Sequence, residues 1–473
     1  MKYFILILSI FASALSMAQA NNLQIGTKHT IESKVLDEKR EIYVSLPEDY
    51  QSSNYRYPVL YLLDGKMNIK HVVGAVDILT ESGAIPPLIV VAIPSTDRSV
   101  DFPPYQDANS SGGKTTRGKE YHQFIEKEVI KYIDGNYRTH SFRALQGHSL
   151  GGLFTVYSMI RHQDVFDAYM AIAPSLWWNG EQVIDEMKAK PSATISNKAM
   201  YLSIGENDGW GMRQELKKLK RVITEKEFMN VRVHHEEFKN EGHMSARYPA
   251  NYYGLKFVFS DINLTQDLWD STTGKSFTQH ETKLVEKYGN SVKQSFESYL
   301  RLGEHLTHLK RYDAAVVVFE RLVEKYGSIF GKVELAYAYR LNGQTDDAIG
   351  MFKTALKQAQ ETEVESYPMD ALRNNIEMLR NPLAQEMLQG YVGDYKGNGS
   401  HLRITLVNGR LRAGLIGNDG LEDFEIFATS STRFRIRVIW GEIEFVRNNE
   451  GLFDILMHAN GDKLLLKNSR GNG

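Results

Sequence analysis

No cysteine occurs anywhere in the 473 residues. That absence excludes disulfide staples and a lipid-modified cysteine anchor. Charge of one sign is lacking too. Lys and Arg total 56 against 58 Asp and Glu, a formal net charge of −2. With no basic run long enough to form a phosphate-binding stripe, a nucleic-acid partner is excluded. Past the first twenty residues no apolar stretch reaches membrane-spanning length, so no span is expected in the mature chain.

What is present is a globular composition, 42% hydrophobic and 24% charged, in a chain long enough for about two to four domains. The start is distinctive. Lys2 precedes an apolar run from Phe4 to Phe11, followed by small residues ending Ala18-Gln19-Ala20. A charged n-region, an apolar h-region and an A-x-A site predict a signal peptide over residues 1–20. Export without disulfides predicts a bacterial periplasmic or extracellular protein whose cores stand alone.

Between residues 21 and 262 strands and helices alternate. Two alternating strands, near His29–Val35 and Glu41–Pro47, lead into the continuous apolar run Tyr57–Leu63. A helix over Asn68–Thr80, a strand at Leu88–Ile93 and a long polar loop from Pro94 to Gly118 follow. Further buried strands are expected at Phe142–Leu145, Tyr169–Ala173, Met200–Ile204 and Val231–His235, separated by amphipathic helices. Continuous apolar strands require cover on both faces, which predicts a doubly wound, mainly parallel α/β sheet opened by an N-terminal strand pair. Sites in such sheets lie at the carboxyl ends of the strands.

Gly147-His148-Ser149-Leu150-Gly151-Gly152 falls at one such end, with a strand before it and a helical pattern after it. That is the layout of a nucleophile elbow, in which glycines give clearance for a strained serine. An acyl-transferring serine needs a base and a carboxylate to orient it. His243, in the loop after the last strand, is the candidate base; His234 and His235 lie inside that strand and project to opposite faces. Asp208 and Glu206 share the loop after the preceding strand. Asp208 is favoured as the acid, and Glu206 stays open. The amides of Leu150 and Lys66 are the candidate oxyanion donors. The adjacent Trp177 and Trp178 follow another strand end. At least one is expected to face the cleft and stack an aromatic or sugar-like group.

These motifs together resemble the esterase family of α/β hydrolases that takes in esterase D, feruloyl esterases, enterochelin and related siderophore esterases, and the mycolyltransferases. The resemblance spans about residues 30–260. It rests on Tyr61-Leu62-Leu63-Asp64-Gly65, on Arg98 and Asp101 with Pro103-Pro104, on the elbow, on Pro174-Ser175-Leu176-Trp177-Trp178, and on the Asp208 and His243 loops. It implies a serine carboxylic-ester hydrolase needing no metal or organic cofactor. It also implies that the residue after the Asp-Gly pair, Lys66, donates to the oxyanion, and that Arg98 and Asp101 belong to the substrate site. The implied substrate is a small-molecule or polysaccharide-linked ester. Acyl transfer by the same triad, or a partner-binding protein with a vestigial hydrolase, are the competing readings.

Two further regions follow. Over 263–385, Leu302-Gly303, Ala315 and Phe319 recur 33 residues on as Leu335-Ala336, Ala348 and Phe352. This resembles a tetratricopeptide array, with a protein partner as the implied ligand. Two repeats cannot stand alone, so the region is expected to pack on a neighbour. Over 386–473, short alternating strands separated by turns such as Asn408-Gly409 predict an antiparallel, barrel-like β-domain.

Overall fold

Seven consecutive buried residues, Tyr57–Leu63, form a single strand. In the computed structural model they lie well inside an eight-stranded sheet. The structure describes residues 25–107, 113–362, 369–417, 423–436, 441–459 and 462–469. The signal-like segment 1–20 lies outside them, as do residues 108–112 of the long loop. Two compact units emerge. One runs to Asn263 and takes in Thr282–Gln294; the other comprises Leu264–Glu281 and the chain from Ser295 onward.

The sheet of the first unit consists of β1 (Thr27–Ser33), β2 (Glu38–Ser45), β3 (Tyr57–Leu63), β4 (Ile89–Ile93), β5 (Thr139–His148), β6 (Ala168–Ile172), β7 (Ala199–Gly205) and β8 (Arg232–Phe238). Their order is β1-β2-β4-β3-β5-β6-β7-β8. The pairs β1–β2 and β2–β4 are antiparallel; every pair from β4–β3 to β7–β8 is parallel. This is the predicted doubly wound sheet with its N-terminal strand pair. Alternation along β3 divides the core between the two faces. Tyr57, Val59, Tyr61 and Leu63 enter one apolar cluster, and Leu60 and Leu62 enter the other.

Two boundaries differ from the sequence reading. The helix expected from Asn68 begins at Gly65, because Asp64 turns the chain in a left-handed conformation (φ 53°, ψ 42°). The stretch Asp64-Gly65-Lys66 is therefore a helix start. The first unit also reaches beyond residue 262. Leu284, Tyr288 and Val292 join its core beside Phe142 and Phe259. The Tyr288 ring lies 4.9 Å from Phe142 and 5.1 Å from Phe259, and its hydroxyl donates to Asp261 Oδ1 at 2.6 Å.

In the second unit, helices Phe296–His308, Tyr312–Tyr326, Ile329–Leu341, Thr345–Glu361 and Met369–Arg380 form the helical region. The repeat has a packing cause. A Cβ at Gly303 would stand 2.4 Å from Phe319 Cζ, so the ring requires the small residue beneath it. Thirty-three residues on, Ala336 and Phe352 share one cluster. Eight strands then close a barrel: β9 (Gly393–Gly397), β10 (Ser400–Val407), β11 (Arg410–Leu415), β12 (Phe424–Ala428), β13 (Arg433–Ile436), β14 (Gly441–Arg447), β15 (Phe453–Ala459) and β16 (Asp462–Asn468). β9 pairs with both β10 and β16 to complete the closure. The helices pack on this barrel. The Tyr337 ring is 4.9 Å from Phe427, and Arg340 meets Glu425 at 3.4 Å. That contact supplies the cover a two-repeat array lacks. No described helix is long and apolar enough to cross a membrane.

Tyr288→Ala should lower the stability of the first unit by about 3–5 kcal/mol, the usual cost of deleting a large buried ring. Urea unfolding followed by tryptophan fluorescence measures it. A loss near zero would show that residues 282–294 are dispensable to that core.

Candidate active site

β5 ends at His148, and a helix begins at Leu150. Ser149 between them has φ 60° and ψ −117°, a strained backbone for a residue with a side chain. Its amide donates to the Ile172 carbonyl (2.9 Å), and its carbonyl accepts from Ser175 N (3.0 Å), so β6 and the loop after it hold the turn from the side. Gly147 makes the turn possible. A Cβ there would lie 2.1 Å from the Gly151 carbonyl oxygen. Ser149 Oγ hydrogen-bonds Ser175 Oγ at 3.3 Å. Leu150 N–H, in the first helical turn, has no protein acceptor among the described residues. The same is true of Lys66 N–H, whose side chain turns away to pair with Glu41 at 3.3 Å. Amides at a helix start favour negative charge.

The loops after β7 and β8 are stitched together. Glu206 N donates to Phe238 O (2.9 Å) and Asn207 N to Glu241 O (2.8 Å). Gly205 allows this approach, since a Cβ would meet the Glu241 carbonyl oxygen at 2.4 Å. The stitching brings His243 Nδ1 to Asp208 Oδ2 at 2.8 Å. Asp208 is nearly enclosed, whereas a third of the His243 side chain is exposed. Donation from Nδ1 leaves Nε2 as the acceptor nitrogen. Glu206 does not reach the histidine; its Oε2 accepts from Asn240 N at 2.9 Å. The structure thus brings Asp208, not Glu206, to His243.

His148 connects the two halves. Its Nε2 donates to the His243 carbonyl at 2.8 Å, and the two rings are 4.6 Å apart. Burial, reinforced by His243, pushes its pKa down to about 3. Arg98 adds a second clamp. It donates to both Asp64 carboxylate oxygens (3.2 and 3.0 Å) and to the His148 carbonyl (3.0 Å). It thereby fastens the turn preceding Lys66 to the elbow.

Two expected substrate contacts are corrected. Asp101 is fully buried. It accepts from both terminal nitrogens of Arg40 (2.9 Å each), from Ser95 Oγ (2.7 Å) and from Arg117 Nε (2.9 Å). Burial is the largest influence and pushes its pKa up. The Arg40 and Ser95 hydrogen bonds, with Arg117, outweigh it and hold the carboxyl below its ordinary range. Trp178 is a core residue, 1% exposed, and its Nε1 donates to Tyr105 O at 2.8 Å. It anchors the long loop. Trp177 is exposed, with its ring 5.6 Å from that of Trp178. Arg98 is engaged by the protein on both sides.

Ser175 and His148 went unnoticed as site groups in the sequence. Each sits inside a motif, but only the fold brings Ser175 to Ser149 and His148 to His243. A cavity of about 680 Å³ lies at the opposite edge of the sheet, lined by residues such as Asp167, Lys198 and Arg232. None of the elbow residues borders it.

A family model described as "Putative esterase" matches residues 33–251, and a tetratricopeptide repeat model matches residues 297–328. The ferri-bacillibactin esterase BesA of Bacillus subtilis is 30% identical over 221 residues, covering 40% of this chain and 74% of that protein. The siderophore enterobactin esterase of Emericella nidulans is 27% identical over 160 residues, covering 28% of this chain and 51% of that protein. The solved structure of an IroE-like serine hydrolase from Shewanella oneidensis shares the fold. Its TM-score is 0.50 at 23% identity, over 63% of this chain and 99% of that one.

The buried His148 makes stability depend on pH. Unfolded, its imidazole titrates near about 6.5; folded, near about 3. Between those values the unfolded chain binds a proton that the folded chain does not, so stability falls as pH drops. His148→Gln keeps an N–H donor for the His243 carbonyl and removes the titration. Its unfolding free energy should fall less steeply than that of the wild type below pH 6.5, by up to about 1.4 kcal/mol per pH unit. Urea titrations at pH 7 and pH 5 compare the two slopes; equal slopes would refute the assignment.

Proposed function

Because this chain belongs to the esterase family of α/β hydrolases and is a carboxylic-ester hydrolase, we propose that it cleaves a siderophore ester through an acyl-enzyme on Ser149. The observation that carries the mechanism is the 2.8 Å His243–Asp208 pair, held against the elbow by His148. Ser149 Oγ leaves Ser175 and attacks the ester carbonyl carbon while His243 Nε2 takes its proton. Asp208 holds the ring and stabilises the imidazolium. The carbonyl oxygen, now an oxyanion, accepts from the Leu150 and Lys66 amides. Collapse expels the alcohol, which takes the proton back from His243. A water, deprotonated by the same nitrogen, then attacks the acyl group and releases the carboxylic acid with Ser149 restored.

The substrate class rests on two supports. The similar proteins of Bacillus subtilis and Emericella nidulans are siderophore esterases by name. Large apolar side chains also stay exposed next to site residues in the chain: Met67 follows Lys66, Met244 follows His243, and Trp177 lies two residues past Ser175. Such exposed apolar side chains suit a ligand with apolar or aromatic faces. The same reading takes the chain to be exported, on the signal-like pattern of residues 1–20.

Ser149→Ala should lower kcat on a siderophore lactone or a nitrophenyl ester by roughly 10⁴-fold or more, and Asp208→Asn by a comparable factor. Glu206→Gln should leave kcat nearly unchanged. Steady-state kinetics on the three variants, with fluorophosphonate labelling of Ser149, provides the measurement. Full turnover in Ser149→Ala would sink the mechanism. Loss in Glu206→Gln with retention in Asp208→Asn would reverse the choice of acid.

A further inference from the structure

Three loops must meet for ester cleavage, and the sheet does not fix them equally. The Lys66 turn follows β3 and the elbow follows β5, and these two strands are direct neighbours. The His243 loop follows β8, four strand spacings from β3, or about 19 Å. No ladder of backbone hydrogen bonds joins β8 to β3 or to β5. Side chains must therefore set the base loop in register.

Two such links are the Arg98 clamp from the Lys66 turn to the elbow and the His148 bond from the elbow to the His243 carbonyl. A third runs directly between the base loop and the Lys66 turn. Arg247 opens the helix Arg247–Val258 behind the base loop. Its Nε folds back to donate to the Met244 carbonyl at 2.9 Å, one residue past His243. Its Nη1 donates to Asn68 Oδ1 at 3.1 Å. Asn68 lies in the first turn of the helix Gly65–Glu81 and is fully buried. Its Nδ2 donates to the Leu63 carbonyl at 3.1 Å, so the side chain spans the turn that carries Lys66. Both ends of this amide are engaged. The oxygen meets a guanidinium and the nitrogen meets a carbonyl, a pairing that an ionised aspartate, with no N–H, cannot reproduce. One turn further along the same two helices, Asn251 Nδ2 donates to the Arg247 carbonyl (2.7 Å) and reaches His71 Nε2 at 3.3 Å.

We propose that Asn68 and Arg247 are positioning residues for ester cleavage, which together register the base loop against the Lys66 turn. The inference rests on the ester-cleavage reading and deepens it. Both residues act through the backbone they hold, not on the ester. The link matters because base and oxyanion donors serve one carbonyl and must keep their places to within about 0.5 Å. A guanidinium can bridge two acceptors because its donors are fixed in a planar fork, whereas a lysine ammonium is a point charge on a flexible stem. With Arg98 and His148, the pair closes a triangle in which each of the three loops is tied to the other two.

The test uses the full chain and a nitrophenyl ester. Turnover is counted per Ser149 labelled to completion by a fluorophosphonate, so that unfolded chains do not contribute. Arg247→Met should lower kcat by about 10- to 100-fold with KM nearly unchanged, the pattern of lost transition-state alignment. Arg247→Lys should recover little of it, and Asn68→Asp, which keeps the acceptor for Arg247, should lose a similar factor. Arg232 is the control. It holds the far end of the same helix through the Phe257 and Val258 carbonyls (3.2 and 2.9 Å). Arg232→Ala loosens that helix without touching the link and should keep kcat near that of the wild type. The proposal is overturned if the labelled Arg247 variants turn over at the wild-type rate, if Arg247→Lys restores it, or if Arg232→Ala loses as much as they do. A wild type that cleaves no ester would sink the mechanism itself, and the role of the link with it.

Discussion

The backbone of Ser149 is the constraint around which the first unit is assembled. A φ of 60° with a ψ of −117° is costly for a residue with a Cβ, on the order of 1–3 kcal/mol. It persists because neighbours leave no alternative. β6 takes the amide of the turn and Ser175, in the loop after β6, takes its carbonyl, and a side chain at Gly147 would overlap the Gly151 backbone. β3 and β6 flank β5 in the parallel part of the sheet, so any relaxation of the turn must shift buried strands. The hydroxyl therefore stands where strand and helix meet, next to unpaired helix-start amides.

A second layer makes that geometry rigid. Arg98 joins Asp64 to the His148 carbonyl, and Asp101, three residues on, ties Arg40 and Arg117 into the same loop. A sequence pattern suited to substrate recognition is in this fold a bracket for the elbow and the Lys66 turn. The buried carboxylate is tolerable because donors meet both of its oxygens. Removing one partner of such a pair leaves an unpaired charge, which costs far more than the intact pair contributes.

Much of this was legible along the chain, for identifiable reasons. Continuous apolar runs such as Tyr57–Leu63 report a strand covered on both faces, and the glycines around Ser149 report a turn without room for side chains. Loop positions after β7 and β8 singled out Asp208 and His243, although sequence left Glu206 beside Asp208; only the folded loops separate them, Asp208 bonding His243 while Glu206 accepts from Asn240. Adjacent tryptophans could not be told apart either. Trp178 turns inward to the Tyr105 carbonyl and Trp177 outward, a difference set by the packing of a distant loop. Ser175 and His148 were invisible because their meaning lies in contacts across 26 and 95 residues. The stretch 282–294 read as helical repeat because its apolar spacing is the same whichever core receives it.

The two sheets end differently. The barrel closes on itself, while the open sheet leaves β8 as a terminal strand. Arg232, His234, His235, Glu236 and Glu237 fill most of that strand. His234 pairs with Glu236 at 2.8 Å, Glu237 pairs with Arg213, and Arg232 is drawn to the carbonyls of Phe257 and Val258. An incoming strand from another molecule would have to strip water from these charges to reach the backbone groups. The open sheet thus carries an electrostatic guard against self-templated aggregation, along an edge that its topology cannot cover.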